Sequence, residues 1–156
     1  MFVFTLKASG LKFFSVIALS VAILATAIGI LPTISAAHDV ASVTTDFKNI
    51  SSEEDMVRFL SNFGIEVEPN ATEIYEFTIP EKFNSVYEKY NDIQRAQGLN
   101  LKRYAGQDAT AYIFKVKNSD SSGEVFATLF VRNGRVIAGD VSSKKGEGFV
   151  RGLQNG

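Results

Sequence analysis

A long stretch without charge near the N-terminus constrains this chain more than any other feature. Residues 13–38 contain no charged side chain, and residues 13–31 are almost continuously apolar. As an α-helix, residues 13–31 would be about 28 Å long, close to the hydrocarbon thickness of a bilayer. We therefore predict a transmembrane helix over residues 13–31, which makes the lipid bilayer the first expected partner.

The charges on either side of this apolar run predict its orientation. Lys7 and Lys12 precede it, and the first acidic residue of the chain is Asp39. Because basic residues are retained on the cytoplasmic side, we expect a short cytoplasmic N-terminus over residues 1–12 and an extracytoplasmic location for the rest. The predicted location is the cell membrane, crossed once.

Two alternatives to a retained anchor remain open. The small residues from Ser35 to Ala37 resemble a signal-peptidase site, and cleavage near Ala37 would give a secreted protein. The apolar run is longer than the roughly 7–15 residues of a signal-peptide core, which favours a retained anchor. The other alternative is a buried helical hairpin in a soluble protein, although soluble helices seldom lack charge over such a length.

The remainder of the chain has the length and composition of one folded domain. The full chain has 156 residues, 46% of them hydrophobic, which is enough for a core and excludes a disordered composition. Residues 38–50 show no helical or strand period, and a stalk is predicted over residues 32–50. We expect an extracytoplasmic α+β domain over residues 51–152 and a short tail over residues 153–156.

The composition excludes several classes of function. The chain has no Cys, so it can form no disulfide, thiolate metal site or thiol nucleophile, and its single His, His38, lies in the predicted stalk. A net charge of -1 gives no electrostatic reason for binding nucleic acid. We expect no catalytic residues, no metal, no cofactor and no nucleic-acid partner, and we favour a protein that is not an enzyme.

The first predicted helix covers about residues 52–63. Ser51 and Glu54 have the spacing of a capping box, and Gly64 follows as a left-handed C-terminal cap. The buried stripe of this helix would consist of Met56, Val57, Phe59, Leu60 and Phe63. An extended segment over residues 65–68 is expected to follow.

A second helix follows a predicted half-exposed strand over residues 73–79. We expect Pro80 in its first turn, and apolar or aromatic residues repeat at helical spacing from residue 83 to residue 93. Gln94 and Gln97 fall on the same face as this stripe, so two amides are predicted to point towards the core or its edge.

The last third of the domain contains strand-forming residues with turn signals between them. They predict an antiparallel meander over residues 108–117, 124–132 and 135–141. Asn133 and Gly134 give a strong signal for a type I′ hairpin turn. This turn predicts three facing pairs, which are Arg132 with Arg135, Phe130 with Ile137, and Phe126 with Val141.

The predicted register assigns the residues of the sheet to its two faces. The face under the second helix would carry Phe126, Phe130, Ile137, Val141, Tyr112, Phe114 and Val116. The opposite face, under the first helix or the membrane-proximal segment, would carry Val125, Leu129, Val131 and Val136. The predicted fold class is α+β, with an N-terminal transmembrane helix and then two helices packed on a mainly antiparallel sheet that ends in a three-stranded meander.

Polar side chains on and after the second helix form the main candidate site. The candidate ligand-binding residues are Tyr87, Tyr90, Asn91, Gln94, Gln97 and Tyr104. One interpretation is structural, because buried amides and hydroxyls need partners and the backbone of residues 98–106 would provide them. The other interpretation is a small polar cleft near Tyr90, Gln94 and Tyr104 that binds the edge of a peptide or sugar.

A second candidate site is basic. Residues 39–81 contain 2 basic and 10 acidic residues, whereas residues 82–156 contain 12 basic and 7 acidic residues. The candidate anion-binding residues in the basic part are Arg132, Arg135, Lys144 and Lys145. This polarity would orient the domain towards anionic lipid or wall polymer, and its alternative interpretation is an ordinary solvated surface.

The second helix and the residues around it also carry a motif. From Ile79 it reads Ile-Pro-x-x-Phe-x-x-Val-Tyr-x-x-Tyr-Asn-x-x-Gln-x-x-Gln-Gly, and Leu101, Tyr104, Gly106, Gly139, Asp140, Val141, Gly148 and Phe149 follow it. The pattern resembles a bacterial family of small membrane-anchored proteins known only as a domain of unknown function, over about residues 53–152. The resemblance implies an N-terminal anchor and an extracytoplasmic α+β domain, and it implies no activity, ligand or catalytic residue.

Two functions are consistent with these observations. The favoured hypothesis is a non-enzymatic interaction or ligand-sensing module of the bacterial cell envelope, which predicts a protein partner there. The alternative is a cell-envelope enzyme or accessory protein that acts on polysaccharide or peptide through the polar cleft near Tyr90, Gln94 and Tyr104.

Overall fold

The computed structural model describes residues 47–119, 123–143 and 148–154. Among these residues, no helix is long and apolar enough to cross a membrane. The predicted cytoplasmic N-terminus and the predicted anchor over residues 13–31 lie outside the described residues, and so do Lys144 and Lys145 of the candidate anion site.

Two helices and a five-stranded antiparallel sheet make up the described domain. The helices are α1 (Glu53–Ser61) and α2 (Ser85–Ala96), and a 3-10 helix covers Leu101–Tyr104. The strands are β1 (Glu73–Thr78), β2 (Asp108–Lys115), β3 (Val125–Arg132), β4 (Arg135–Ser143) and β5 (Val150–Arg151). They lie in the sheet in chain order, each antiparallel to the next. The predicted α+β class is confirmed, and the strands β1 and β5 lie on either side of the three strands of the predicted meander.

Helix α1 begins one residue later than the predicted capping box would place it. Its N-cap is Ser52, whose hydroxyl accepts a hydrogen bond from the Asp55 N–H, while the Asp55 carboxylate accepts one from the Ser52 N–H. The backbone N–H and hydroxyl of Ser51 donate to the same carboxylate oxygen. These hydrogen bonds, first of all the one from the Ser51 N–H, lower the pKa of Asp55. Gly64 has the predicted left-handed conformation, with a φ of 72°.

Helix α2 also begins later than predicted. Asn84 is its N-cap, and the Asn84 Oδ1 accepts hydrogen bonds from the N–H groups of Val86 and Tyr87. A side-chain acceptor at this position satisfies donors that have no partner within the helix. Pro80 therefore precedes the helix by several residues, where the sequence predicted it in the first turn.

The turn between β3 and β4 has the predicted geometry. Asn133 and Gly134 have φ angles of 48° and 68°, as a type I′ turn requires, and Arg132 faces Arg135 across the hairpin. The Arg132 guanidinium donates a hydrogen bond to the carbonyl oxygen of Asp108 on the neighbouring strand β2. This contact draws one of the two like charges away from the other.

A β-bulge makes the rest of the predicted hairpin register wrong. The pairing shifts by one residue between Phe130 and Val131. The observed pairs are Phe130 with Ala138 and Phe126 with Ser142, where Ile137 and Val141 were predicted. Because side chains alternate between the faces of a sheet, a shift of one residue moves every later β4 side chain to the other face.

The sheet separates two hydrophobic cores, which we call the α1 face and the α2 face. The α1 face joins helix α1 to the sheet through Met56, Phe59, Leu60, Phe114, Val125, Ala127, Leu129, Val131, Val136 and Val141. The α2 face joins helix α2 and the 3-10 helix to the sheet through Phe77, Ile79, Tyr90, Leu101, Ala109, Ala111, Phe130, Ile137 and Ala138.

The residues in these two cores agree with part of the predicted assignment to faces and contradict the rest. Val125, Leu129, Val131 and Val136 were predicted to lie under the first helix or the membrane-proximal segment. They share a core with helix α1, and Phe47 packs on the same core. The prediction was wrong for Tyr112, Phe114, Val116 and Val141, which were expected under helix α2 and pack on the α1 face. For Val141 the physical reason is the bulge. It moves the side chains of β4 that follow it to the opposite face of the sheet from the one predicted.

The packed domain extends beyond its predicted limits at both ends. Ile50 is buried, its N–H donates to the Gly134 carbonyl oxygen, and Phe47 packs on the α1 face, although both residues fall in the predicted stalk. Leu153, at the start of the predicted tail, is fully buried on the α1 face. The chain segments on both sides of residues 51–152 therefore contribute to the core.

Candidate functional site

Two glutamines of helix α2 bind the backbone at the edge of strand β4. The Gln94 Oε1 accepts a hydrogen bond from the Gly139 N–H at 2.9 Å, and the Gln97 Nε2 donates one to the Gly139 carbonyl oxygen at 2.6 Å. The Gln97 Nε2 also donates to the Gln94 Oε1 at 2.8 Å, which joins the two amides. The two side chains thus pair with one β4 residue as a neighbouring strand would.

The C-terminal segment completes this arrangement. The Leu153 N–H donates a hydrogen bond to the Gln97 Oε1 at 2.8 Å. A Cβ atom on Gly152 would lie 2.9 Å from the same oxygen, so the close approach of the two chains favours glycine there. We call Gln94, Gln97, Gly139 and Leu153 the glutamine clamp. The clamp covers the edge of β4 beyond the short strand β5.

Tyr90 and Asp140 make a second polar contact beside the glutamine clamp. The Tyr90 hydroxyl donates a hydrogen bond to the Asp140 Oδ2 at 2.7 Å, and Asp140 is only 3% exposed. The bulge in the hairpin brings Asp140 to the α2 face, opposite Thr128 of β3. The other carboxylate oxygen of Asp140, Oδ1, is buried without a hydrogen-bond partner among the described residues.

The surroundings of Asp140 change its acidity. Burial raises the pKa of Asp140 to about 7, because desolvation disfavours the charged carboxylate, and the hydrogen bond from Tyr90 offsets part of this shift. Burial, and then the negative charge of Asp140, raise the pKa of Tyr90. Burial also raises the pKa values of Tyr75 and Tyr87. The α2 face therefore holds one carboxyl group that titrates near neutrality beside phenols that stay protonated.

Four of the six candidate ligand-binding residues are buried, namely Tyr90, Asn91, Gln94 and Gln97. Tyr104 packs at the margin of the α2 face, and Tyr87 is half-buried. Gln94 has no exposed surface. Ligand binding by these residues stays a prediction, and the contacts that they make within the protein are structural.

The partners of these polar groups differ from the predicted ones. The backbone of residues 98–106 was expected to bind them, and it does so for Asn91, whose Oδ1 accepts a hydrogen bond from the Lys102 N–H at 3.2 Å. Tyr90 binds Asp140 instead, and the two glutamines bind Gly139 and Leu153. The correct partners lie on β4 and in the C-terminal segment.

The basic candidate site is described only in part. Arg132 is half-buried and bound to the Asp108 carbonyl oxygen, and Arg135 is exposed and forms a backbone bridge with Lys48. Anion binding by these arginines and the two lysines outside the described residues stays a prediction.

Asp140 is the residue of this region that the candidate sites did not include. The sequence signal that would have found it is Gly139, because a glycine inside a strand often marks a bulge or a close approach by another backbone or side chain. At Gly139 the approach comes from Leu153, whose Cδ1 would lie 2.8 Å from an added Cβ. Asp140 is the next residue along β4. Because of the register shift at the bulge, its side chain lies on the α2 face.

One comparison with known proteins gives a match. The family described as "Domain of unknown function (DUF4830)" matches residues 59–141, which is more than half of the chain. No curated protein and no solved structure matches the chain. The matched range contains helix α2, Gly139 and Asp140, and it does not include the predicted anchor, so membrane anchoring stays a prediction. The chain belongs to the DUF4830 family of domains of unknown function.

Proposed function

We propose that the protein is a non-enzymatic interaction module of the bacterial cell envelope, anchored in the membrane by residues 13–31 with its α+β domain outside the cytoplasm. The observation that carries the proposal is the open sheet edge at β1. Among residues 47–119, 123–143 and 148–154, strand β1 pairs with β2 and with no strand on its other side. Its Ile74 is a large hydrophobic side chain with 49% exposure. Unpaired strand edges are common sites for adding a strand from another chain.

The two edges of the sheet differ in how they are covered, and this difference supports β1 as the binding edge. At the far edge, the glutamine clamp binds Gly139 and the short strand β5 pairs with β4. At the β1 edge, six residues of regular strand have a partner strand on one side and none on the other within the part of the chain that the structure describes. Proteins commonly cover or shorten edge strands that have no partner. A long edge strand without a partner among the described residues, opposite a covered edge, favours a surface used for binding.

The membrane location rests on the sequence. Residues 13–38 lack charge, and Lys7 and Lys12 precede them. By the positive-inside rule, this pattern favours a domain outside the cytoplasm. A single anchor followed by a compact domain is consistent with a module that holds a partner at the membrane surface.

The geometry does not favour the alternative of an enzyme or accessory protein acting on envelope polysaccharide or peptide. That function would use Tyr90, Gln94 and Tyr104 as a cleft. Gln94 has no exposed surface, and Tyr90 is buried with its hydroxyl bound to Asp140. A ligand would reach these side chains only if helix α2 moved away from the sheet.

A crosslinked capture tests the proposal. The tagged full-length chain is crosslinked in membranes of its source cell, purified, and its companions are identified by mass spectrometry. We expect one envelope protein in near-equal amount. The control is a tagged segment of residues 1–50, which keeps the predicted anchor and lacks the sheet. Recovery of only those proteins that the control also captures would contradict the interaction module.

A further inference from the structure

We infer that the β1 edge binds an extended basic segment of a partner protein, added as a sixth strand of the sheet. This inference rests on the proposed interaction function and names the chemistry of the partner. Strand addition supplies affinity through main-chain hydrogen bonds, and the side chains on the two faces supply selectivity. The β1 edge offers both.

The backbone groups of β1 alternate between β2 and the outer edge. The Ile79 N–H donates a hydrogen bond to the Gln107 carbonyl oxygen at the end of the ladder, at 2.9 Å. In an antiparallel pair this alternation directs the groups of every second residue towards the neighbouring strand. The groups that point outward belong to Ile74, Glu76 and Thr78. They are the donors and acceptors that an added strand would use.

Carboxylates line the same edge. Glu73 and Glu76 lie on β1, and Glu66 and Glu68 lie on the preceding extended segment, which joins the same side of β2 through Val67. Within the described residues, the Glu73 and Glu76 carboxylates form no hydrogen bond or ion pair. Like charges opposite each other destabilise strand pairs, so this edge disfavours pairing with a second copy of itself. The same charges favour a basic strand.

The spacing of the two β1 glutamates predicts the pattern of the added strand. Glu73 and Glu76 are three residues apart and project to opposite faces, with Ile74 and Tyr75 between them. A partner strand would place Lys or Arg opposite each glutamate and apolar residues opposite Ile74 and Tyr75. The resulting pattern, basic-apolar-apolar-basic, is the same for parallel and antiparallel addition.

A cavity beside β1 provides room for side chains of the added strand. Its volume is about 540 Å³, and Glu76, Thr78, Asp108, Thr110 and Arg132 are among the residues that line it. The Asp108 carboxylate accepts a hydrogen bond from the Thr78 hydroxyl at 2.6 Å, which fixes it at the wall. The cavity is lined by two carboxylates, of Glu76 and Asp108, and by one guanidinium, of Arg132, so its net charge is negative. A Lys side chain opposite Glu76 would find complementary charge there.

Charge-swapped peptides test the inference on the full-length chain, purified in mild detergent. The probes are fluorescent peptides of the sequence Thr-Thr-Lys-Val-Val-Lys-Thr-Thr and the same sequence with both Lys replaced by Glu. We expect the Lys peptide alone to bind, and more weakly as salt is added. Glu73→Lys with Glu76→Lys should reverse the preference by about tenfold or more. The matched control, Glu81→Lys with Asp92→Lys, makes the same change in net charge outside strand β1 and should keep the preference for the Lys peptide.

Alternate N-methylation separates strand addition from charge attraction and needs no variant of the protein. In an extended peptide, successive N–H groups point to opposite sides. Two forms of the Lys peptide, methylated at odd or at even residues, should therefore differ, with one losing binding and the other keeping it. If both keep or both lose binding, or if the unmodified Lys peptide fails to bind, the inference is wrong.

The crosslinked capture distinguishes this inference from the proposed function. The Glu73→Lys, Glu76→Lys chain should lose the envelope partner that the wild-type chain and the Glu81→Lys, Asp92→Lys chain recover. A partner that the edge variant still recovers would overturn binding at β1 and leave the interaction module supported. Circular dichroism of each variant establishes that it is folded before its result is counted.

Discussion

The two faces of the sheet hold their helices by different chemistry. Helix α1 packs on apolar side chains, with Leu60 and Leu129 fully buried. Helix α2 packs on an apolar core and also makes the Tyr90–Asp140 contact and the hydrogen bonds of the glutamine clamp at the edge of β4. Apolar packing depends on the area removed from water, whereas buried polar groups depend on particular partners and are costly without them. Helix α1 is therefore held mainly by burial, and helix α2 also by specific hydrogen bonds.

Because of this difference, we expect substitutions on the two faces to change stability in different ways. Removing buried apolar atoms on the α1 face should lower stability equally at every pH. Changing the polar groups of the α2 face should alter how stability depends on pH and where helix α2 sits against β4. Variants that separate these two effects test the comparison directly.

The largest expected effect comes from Asp140 and depends on pH. Its pKa in the folded protein, about 7, lies above its ordinary value of 3.8, so between these values the folded state binds a proton that the unfolded state lacks. The stabilisation is complete below about pH 4 and is lost as pH rises through 7. The full shift corresponds to about 4 kcal/mol. Asp140→Asn should therefore match the wild type at pH 4 and exceed its stability by up to about 4 kcal/mol at pH 8, in urea unfolding.

An exposed aspartate provides the control for this measurement. Asp92 lies on the solvent side of helix α2, so Asp92→Asn should differ from the wild type by the same small amount at both pH values. A stability difference for Asp140→Asn that is equal at pH 4 and pH 8 would contradict the buried-carboxyl account of the α2 face.

A somewhat smaller loss is expected on the α1 face. Leu60→Ala removes fully buried apolar atoms and leaves a cavity, which should cost about 3 kcal/mol. The cost should be the same at pH 4 and pH 8 in urea unfolding, because no titratable group is involved. Leu101→Ala makes the matched change in the apolar part of the α2 face and should behave likewise. A Leu60→Ala cost that varied with pH as the Asp140 effect does would remove the distinction between the faces.

An intermediate effect is expected from the glutamine clamp. Gln94→Leu keeps the volume of the side chain and removes the acceptor of the Gly139 N–H, which should cost about 2 kcal/mol. Hydrogen exchange of the Gly139 amide should become faster. Gln154→Leu, at an exposed position, is the control and should change stability by less than about 0.5 kcal/mol. Unchanged exchange at Gly139 would show that Gln94 does not secure the β4 edge.

The sequence predicted the packing of helix α1 with Val125, Leu129, Val131 and Val136 more accurately than the α2 face, although it misplaced Tyr112 and Phe114 of β2. The difference has a physical reason. The α1 face depends on local patterns, which are an apolar stripe on one helix and alternation along the strands, and both are visible within a few residues. The turn at Asn133–Gly134 is equally local, and it has the predicted geometry. Contacts of this kind can be derived from spacing alone.

The polar part of the α2 face depends on relations that spacing does not encode. The helical period correctly turns Gln94 and Gln97 inward, but their partners Gly139 and Leu153 are more than forty residues away along the chain. The bulge that brings Asp140 to this face leaves no signal in the turn that precedes it. The glutamine contacts and the Tyr90–Asp140 contact both need the complete sheet. A register shift of one residue in β4 changes which side chains face helix α2.

The smallest expected effect tests whether the polar contact couples helix α2 to β4. Tyr90→Phe removes one hydroxyl and keeps the ring, which should cost about 1 kcal/mol at pH 5. Because this hydroxyl stabilises the charged carboxylate, its loss should raise the pKa of Asp140 further, measured by NMR titration of the carboxyl carbon. Tyr87→Phe is the matched control, since the half-buried Tyr87 hydroxyl has no hydrogen-bond partner among the described residues. If the pKa of Asp140 is the same in Tyr90→Phe, the Tyr90–Asp140 hydrogen bond does not distinguish the α2 face from the α1 face.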